Sequence, residues 1–198
     1  MNNIKNKVKE KIKMYSNEEY LDGYIKNEFL TGDGNADILI NITNKDELFD
    51  SRTYGNQLDL NKKIYELIED KSSMLSNDIQ LTLRITGINL SQQEEGRIKH
   101  IISEHYAIEL YKIQKKYKRF KNRILKLALL GIFFLTCYAA IAFKFSSKFF
   151  IEVFGFLFSF TLWEAFDTLI YTFSEIKLER ETITQRLIMN IEFNKKND

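Results

Sequence analysis

The side chains best equipped for chemistry stand inside a stretch that is otherwise apolar. Trp163-Glu164-Ala165-Phe166-Asp167 sets two carboxylates three residues apart, on one face of a helix. Thr161, Thr168 and Tyr171 widen that face into a polar stripe. An ionisable group within an apolar span is costly, and it faces either a partner or a water path. Two chemistries follow. Glu164 and Asp167 could carry protons or cations as a relay, or they could form an ion-paired staple with basic residues of a neighbouring helix. The staple is the stronger reading. In the hairpin derived below Lys126 falls level with Phe166, within reach of both acids, and Arg123 with Leu169, and a single hairpin has too few helices for a transporter unless copies assemble.

The remaining reactive residue types do not form sites. His100 and His105 are five apart, off a common helix face, and no carboxylate or cysteine joins them at metal-ligand spacing. Asp33, Asn35 and Asp37 mimic the opening of a calcium loop, but Ile38 stands where that loop needs glycine and Asn44 where it needs glutamate. A turn feeding a strand is the better account of this segment. Cys137 is the single cysteine, which excludes a disulfide framework and a thiolate metal cluster. No glycine-rich phosphate loop follows a strand, and no serine sits in a nucleophile elbow. The reading is therefore of a non-enzyme, with no catalytic residues, no cofactor and no metal.

The elements that must position Glu164 and Asp167 are two apolar runs. Leu127–Phe143 carries no charge, and Phe149–Phe173 is interrupted only by Glu152, Glu164 and Asp167. A helical span of a bilayer takes about 20 mostly apolar residues. The mean hydropathy of −0.29 suits a soluble protein, but that average conceals how strongly the apolar residues collect after residue 124. Lys144 to Lys148 leaves room only for a tight turn, so the runs form a transmembrane hairpin over 127–173. With Phe143 opposite Phe149, Lys126 lies level with Phe166, Arg123 with Leu169, Tyr117 with Glu175 and Ile113 with Glu179. The chain contains no proline, so nothing of that kind kinks these helices. Beyond the hairpin the pairing predicts a two-helix stalk, with the acidic start of one arm beside the lysines of the other and an apolar stripe of Ile176, Ile183, Leu187 and Ile191.

Charge sets the expected orientation. Lys112, Lys115, Lys116, Lys118, Arg119, Lys121, Arg123 and Lys126 precede the first run, while the turn holds only Lys144 and Lys148. Lys177, Arg180 and Arg186 follow the second run. Positive residues mark the cytosolic side, so both termini are expected in the cytoplasm, on a multi-pass protein of the cell (inner) membrane. The net charge of only +2 shows that the excess is local. Lys115, Lys116, Lys118, Arg119 and Lys121 form a membrane-surface set, because anionic headgroups attract such segments by about 1 kcal/mol per charge. Tyr117 and Phe120, interleaved with these residues, also fit a nucleic-acid patch, but beside a span the membrane is the better explanation. Lipid bilayer, anionic headgroups, further copies of the chain and an unidentified cytosolic ligand or protein are the expected partners, and nucleic acid is not.

The chain before the hairpin reads as a small cytosolic layer domain. The lysine-rich start, with Ile4, Val8 and Ile12 at helical spacing, is an amphipathic helix that docks on the domain or adheres to an anionic surface. It has no apolar core like that of a signal peptide. Asp37–Thr43 is a β-branched strand. Ile64, Leu67, Ile68 and Met74 define the face of a helix capped by Asp59 or Asn61. In Asn77–Gly87, Ile79, Leu81, Leu83 and Ile85 alternate inward against Gln80, Thr82, Arg84 and Thr86, which predicts a strand with one wet face. Ser91-x-x-Glu94 is a capping box, and the helix it opens carries Ile98, Ile101, Ile102 and His105. That helix either continues through Ile108 and Tyr111 or breaks near His105–Tyr106. Two strands alone are marginal, so a third is expected, with Met189–Phe193 as its candidate.

Ile102-Ser103-Glu104-His105-Tyr106 at a helix end, the tight hairpin, and Trp163-Glu164-Ala165-Phe166-Asp167 leading into a charged helix together resemble a group of uncharacterised bacterial two-span membrane proteins. The likeness covers about residues 37–193 and implies no activity. The expected fold class is α+β: a small cytosolic α/β layer domain plus a two-helix transmembrane hairpin with helical extensions. Its segments are an N-terminal helix and linker (1–30), the α/β domain (31–111), a basic juxtamembrane helix (112–126), the hairpin (127–173) and a C-terminal helix and tail (174–198). The expected function is a membrane-anchored module that binds a protein or small ligand. The alternatives are an oligomerising, membrane-perturbing effector of the bacterial defence type, and an ion- or proton-conducting oligomer using Glu164 and Asp167.

Overall fold

The computed structural model describes residues 28–31, 34–144 and 148–194. The N-terminal helix expected around Ile4, Val8 and Ile12 lies outside these residues, as do Asp33 and the centre of the hairpin turn at 145–147. The described chain combines helices with a small parallel sheet and contains two long apolar helices. It divides into two compact units. One takes Met1–Ala107 together with Thr182–Asp198, and the other is Ile108–Glu181, an insertion in the chain of the first. Thr182–Asn194 group with the sheet unit rather than with the hairpin.

The sheet unit has three strands in the order β1 (Ala36–Asn41), β2 (Leu81–Thr86), β3 (Asn190–Asn194), all parallel. Leu83 at the centre pairs with Ile38 on one side and Ile191 on the other. The third strand is thus the expected Met189–Phe193 segment, shifted by one residue. A short helix, α1 (Lys45–Leu48), and a longer one, α2 (Lys62–Ser73), lie between β1 and β2. Ile38, Ile40, Leu81, Leu83 and Ile85 are buried in one core with Ile64, Ile68, Ile98, Ile102 and Tyr106. Burying each such aliphatic side chain is worth about 1.5–3 kcal/mol. Gly87 ends β2 at φ +87, where a Cβ would stand 2.7 Å from the Ile42 carbonyl oxygen, so only glycine fits that exit.

Two expectations about faces are corrected. On α2, Leu67 and Met74 are exposed, and Tyr65 and Ser72 are buried in their stead. Tyr65 turns inward because its ring stacks on His105 at 3.8 Å and its hydroxyl donates to Asp59 Oδ1 at 2.6 Å. The phenol is pushed well above its usual range, first by burial and then by that bond to Asp59. On β2 the expected wet face is largely covered: Thr82 is buried, and Arg84 and Thr86 are half-buried. A central strand has neighbours on both edges, and Arg84 spans them, reaching Asp37 at 2.9 Å on β1 and Glu192 at 3.1 Å on β3. Asp37 is thereby part of a cross-strand ion network.

The capping box forms as read. At the start of α3 (Gln92–Lys144), Ser91 N–H and Oγ–H donate to Glu94 Oε2 at 2.8 and 2.9 Å, and Glu94 N–H donates to Ser91 Oγ at 3.3 Å. Lys45 adds a bond to the same carboxylate at 2.6 Å. The helix then continues without a break past His105–Tyr106.

In the inserted unit, α3 runs antiparallel to α4 (Lys148–Asp167), which passes through a π turn at Thr168–Thr172 into α5 (Phe173–Leu187). Contacts along the two arms follow the level pairing. A Cβ on Gly131 would meet Thr161 Cγ2 at 3.7 Å, one on Gly155 would meet the Tyr138 ring at 3.5 Å, and Phe120 lies 6.2 Å from Phe173. Ile113, Phe120 and Ile176 are the buried side chains of the stalk. The expected stripe does not extend as drawn: Ile183 and Leu187 belong to the sheet unit, and Ile191 sits on β3 rather than on a helix.

The Lys45 bond, followed by those from Ser91, lowers the Glu94 carboxyl from 4.5 to about 2. A carboxylate depressed by folding contributes stability above its unfolded value and loses it as pH falls through the folded one. Acid denaturation of the wild-type chain should therefore show a component between about pH 4.5 and 2 that Glu94→Gln removes. Melting temperature measured against pH for both proteins checks this, and parallel curves through that window would contradict it.

Candidate functional site

The polar cluster at the end of α4 is built by helical spacing and by the antiparallel partner. Glu164 projects towards α3 and meets Arg123, with Nη2 to Oε1 at 2.5 Å. Thr161 and Thr168 lie on the same side and are buried. Thr161 satisfies its hydroxyl by donating to the Leu157 carbonyl at 2.8 Å, one turn back. Ser174 does the same to Ile170 at 2.9 Å across the π turn. The turn begins directly after Asp167 and widens the helix by one residue. Such bulges often accompany functional sites.

Of the residues singled out in the sequence, the structure brings together Arg123 and Glu164. Lys126, Asp167 and Tyr171 are exposed, and neither Lys126 nor Asp167 makes an ion pair among the described residues. The level pairing placed Lys126 beside Phe166 and Arg123 beside Leu169; Arg123 instead reaches Glu164, five residues nearer the turn, and Asp167 is exposed. The i, i+3 relation therefore gives a shared side only loosely: at about 100° per residue, three steps rotate the side chain by about 60° short of a full turn. Trp163 is exposed beside them, as an interface-belt residue would be.

The basic set divides by partner. Lys116 bonds to Glu179 at 2.8 Å and to Glu175 at 3.1 Å, and these bonds raise its pKa above the usual lysine value. Lys115 lies over the Tyr111 ring at 4.7 Å and Lys121 over the Tyr117 ring at 4.8 Å. Lys118 and Arg119 are exposed. The stalk pairing expected of the Lys115–Lys118 cluster is thus carried by Lys116 alone.

Sequence reasoning missed the Asp37–Arg84–Glu192 network and the group formed by Tyr65, His105 and Tyr106. Tyr106 lies edge-on to Tyr65 at 6.3 Å and to His105 at 5.2 Å. Its hydroxyl is buried with no partner among the described residues, and burial drives the phenol pKa upward. Only the strict alternation of β2 hinted at Arg84, by placing it opposite the core face. No family model, curated protein or solved structure matches this chain.

A pair between facing helices in an apolar setting should show coupling. In a cycle of Arg123→Leu, Glu164→Gln and the double change, the double variant should lose less stability than the two single losses combined, by about 0.6–1.7 kcal/mol. Unfolding of the purified chain in detergent measures it. Strict additivity would show that the pair holds nothing together.

Proposed function

We propose that this chain is a non-enzymatic integral protein of the inner membrane. In this reading a cytosolic α/β module binds a protein or small ligand and is anchored by the two-span hairpin. One observation carries it: the apolar hairpin is inserted in the chain of the sheet unit, between β2 and β3. Both arms of the anchor are therefore continuous with elements of the module. The surface of the hairpin supports the membrane part. Both helices are long and apolar enough to cross a bilayer, and almost none of either apolar stretch is buried within the chain. Leu129, Ile132, Phe133, Phe156 and Phe160 all face outward. A contiguous apolar surface of that kind demands lipid or protein cover.

The lysine and arginine bias orients the reading, with both termini in the cytosol. A phosphatase or fluorescent reporter fused in turn to each end should report cytosol, and one fused within 145–147 should report the opposite side. An outward signal from the C-terminal fusion would overturn the hairpin.

A second reading, a proton- or cation-conducting assembly, draws on Asp167, which is without an ion pair among the described residues and adjoins the π turn. It predicts that Asp167→Asn abolishes flux in proteoliposomes while expression and oligomer size stay unchanged. Wild-type vesicles without flux would remove this reading and leave the anchor intact.

A further inference from the structure

We propose that the face of α3 at the hairpin's cytosolic end is a binding site for one anionic phospholipid. The proposal rests on the membrane reading above and deepens it. Arg119, Asn122, Arg123, Lys126, Leu127 and Leu130 line an open groove of about 460 Å³. Their three- and four-residue spacing puts them in one stripe along the helix. The stripe is graded, with cations and an amide at one end and bare leucine at the other. The grading matches an amphiphile lying along the helix, its phosphate among Arg119, Asn122 and Lys126 and its acyl chain against Leu127 and Leu130. Arg119 and Lys126 are two turns apart, about 10 Å at 1.5 Å per residue, a span that brackets a phosphodiester and its glycerol.

The pairing pattern selects the ligand. Glu164 holds Arg123 at 2.5 Å, which fixes the middle of the groove and takes up that charge. Neither Arg119 nor Lys126 has an ion pair among the described residues, so the groove keeps two uncompensated cations at the end of an apolar span. Basic residues at that boundary attract anionic headgroups. A phosphate supplies the anion, and the leucine floor requires that it be attached to a hydrocarbon chain. Elsewhere on the arms Lys116, Lys112 and Lys177 already have carboxylate partners. Lys115, Lys118 and Lys121 also lack a carboxylate partner among the described residues, so what makes the site local is the leucine floor that Leu127 and Leu130 add to Arg119 and Lys126.

The test is native mass spectrometry of the full chain in mild detergent, titrated with phosphatidylglycerol or phosphatidylcholine. Wild type should retain phosphatidylglycerol preferentially. Arg119→Gln with Lys126→Gln should weaken that retention by about fivefold per charge. Lys112→Gln with Lys177→Gln removes the same charge off the groove and should leave retention unchanged, with helix content by circular dichroism equal in all three. Equal losses in the two double variants would overturn the site in favour of diffuse attraction. Displacement of the lipid by millimolar inorganic phosphate would overturn it in favour of a headgroup-only anion site. Unchanged lipid retention in the groove variant would overturn the site, and an altered oligomer size in that same variant would assign the groove to a second copy of the chain instead. Insertion of wild type into phosphatidylcholine vesicles separates the levels. A chain that inserts but shows no headgroup preference loses the site alone, whereas one that stays in the aqueous fraction loses the membrane reading with it.

Discussion

The parallel pairing of β2 with β3 is the constraint on which the rest of the chain depends. Leu83 is held between Ile38 and Ile191, and without the second partner the central strand would be an open edge with a half-covered core. Parallel strands cannot be joined by a tight turn; the chain must leave and return from the same direction. Between β1 and β2 the short helix α1 and the longer α2 make that return. Between β2 and β3 the connection contains the entire hairpin, so the sheet is completed only when the second arm has come back.

Seen from the hairpin, the same topology explains its polar residues. Two apolar arms joined by a short turn are related by simple level pairing, and most contacts along them obey it. Small residues sit where the arms approach: Gly131 against Thr161 and Gly155 against Tyr138. A glycine at such a position lets the facing helix come close. Among the described residues, ion pairs between the arms appear only towards the open end, first as Arg123 with Glu164 and then as Lys116 with Glu175 and Glu179. Exposed pairs of this sort contribute little individually. Their value lies in register, since a slip of one arm by a turn would separate all of them together.

The sheet unit uses polar groups in the same economical way. Arg84 ties the two edge strands across the central one, on the face opposite the core. Gln185 donates to the Ser76 and Ile79 carbonyls at 2.7 and 2.8 Å, and Arg186 donates to Ser72 Oγ at 2.8 Å. These bonds hold the last turn of α5 against the loop before β2 and the end of α2, immediately before the chain enters β3. They satisfy buried groups that would otherwise cost about 1–3 kcal/mol each.

What the sequence determined by itself is everything governed by short-range geometry. The capping box at Ser91 and Glu94, the alternation of β2, the two apolar runs and the level pairing across a short turn are all fixed by period and spacing, and helices without proline preserve them over many residues. Glu164 and Asp167 could be found that way, as could Arg123 and Lys126. Which of them meet could not. Asp167 is exposed while Glu164 meets Arg123, and a π turn begins directly after Asp167 for reasons no local pattern announces. In the sheet unit the tertiary structure decided that Tyr65 rather than Leu67 enters the core, because only the inward position offers it both His105 and Asp59. It also decided that Arg84 is flanked on both sides, because the strand that supplies Glu192 lies more than a hundred residues further along the chain. Contacts of that separation depend on how the whole chain returns, and no window of sequence contains them.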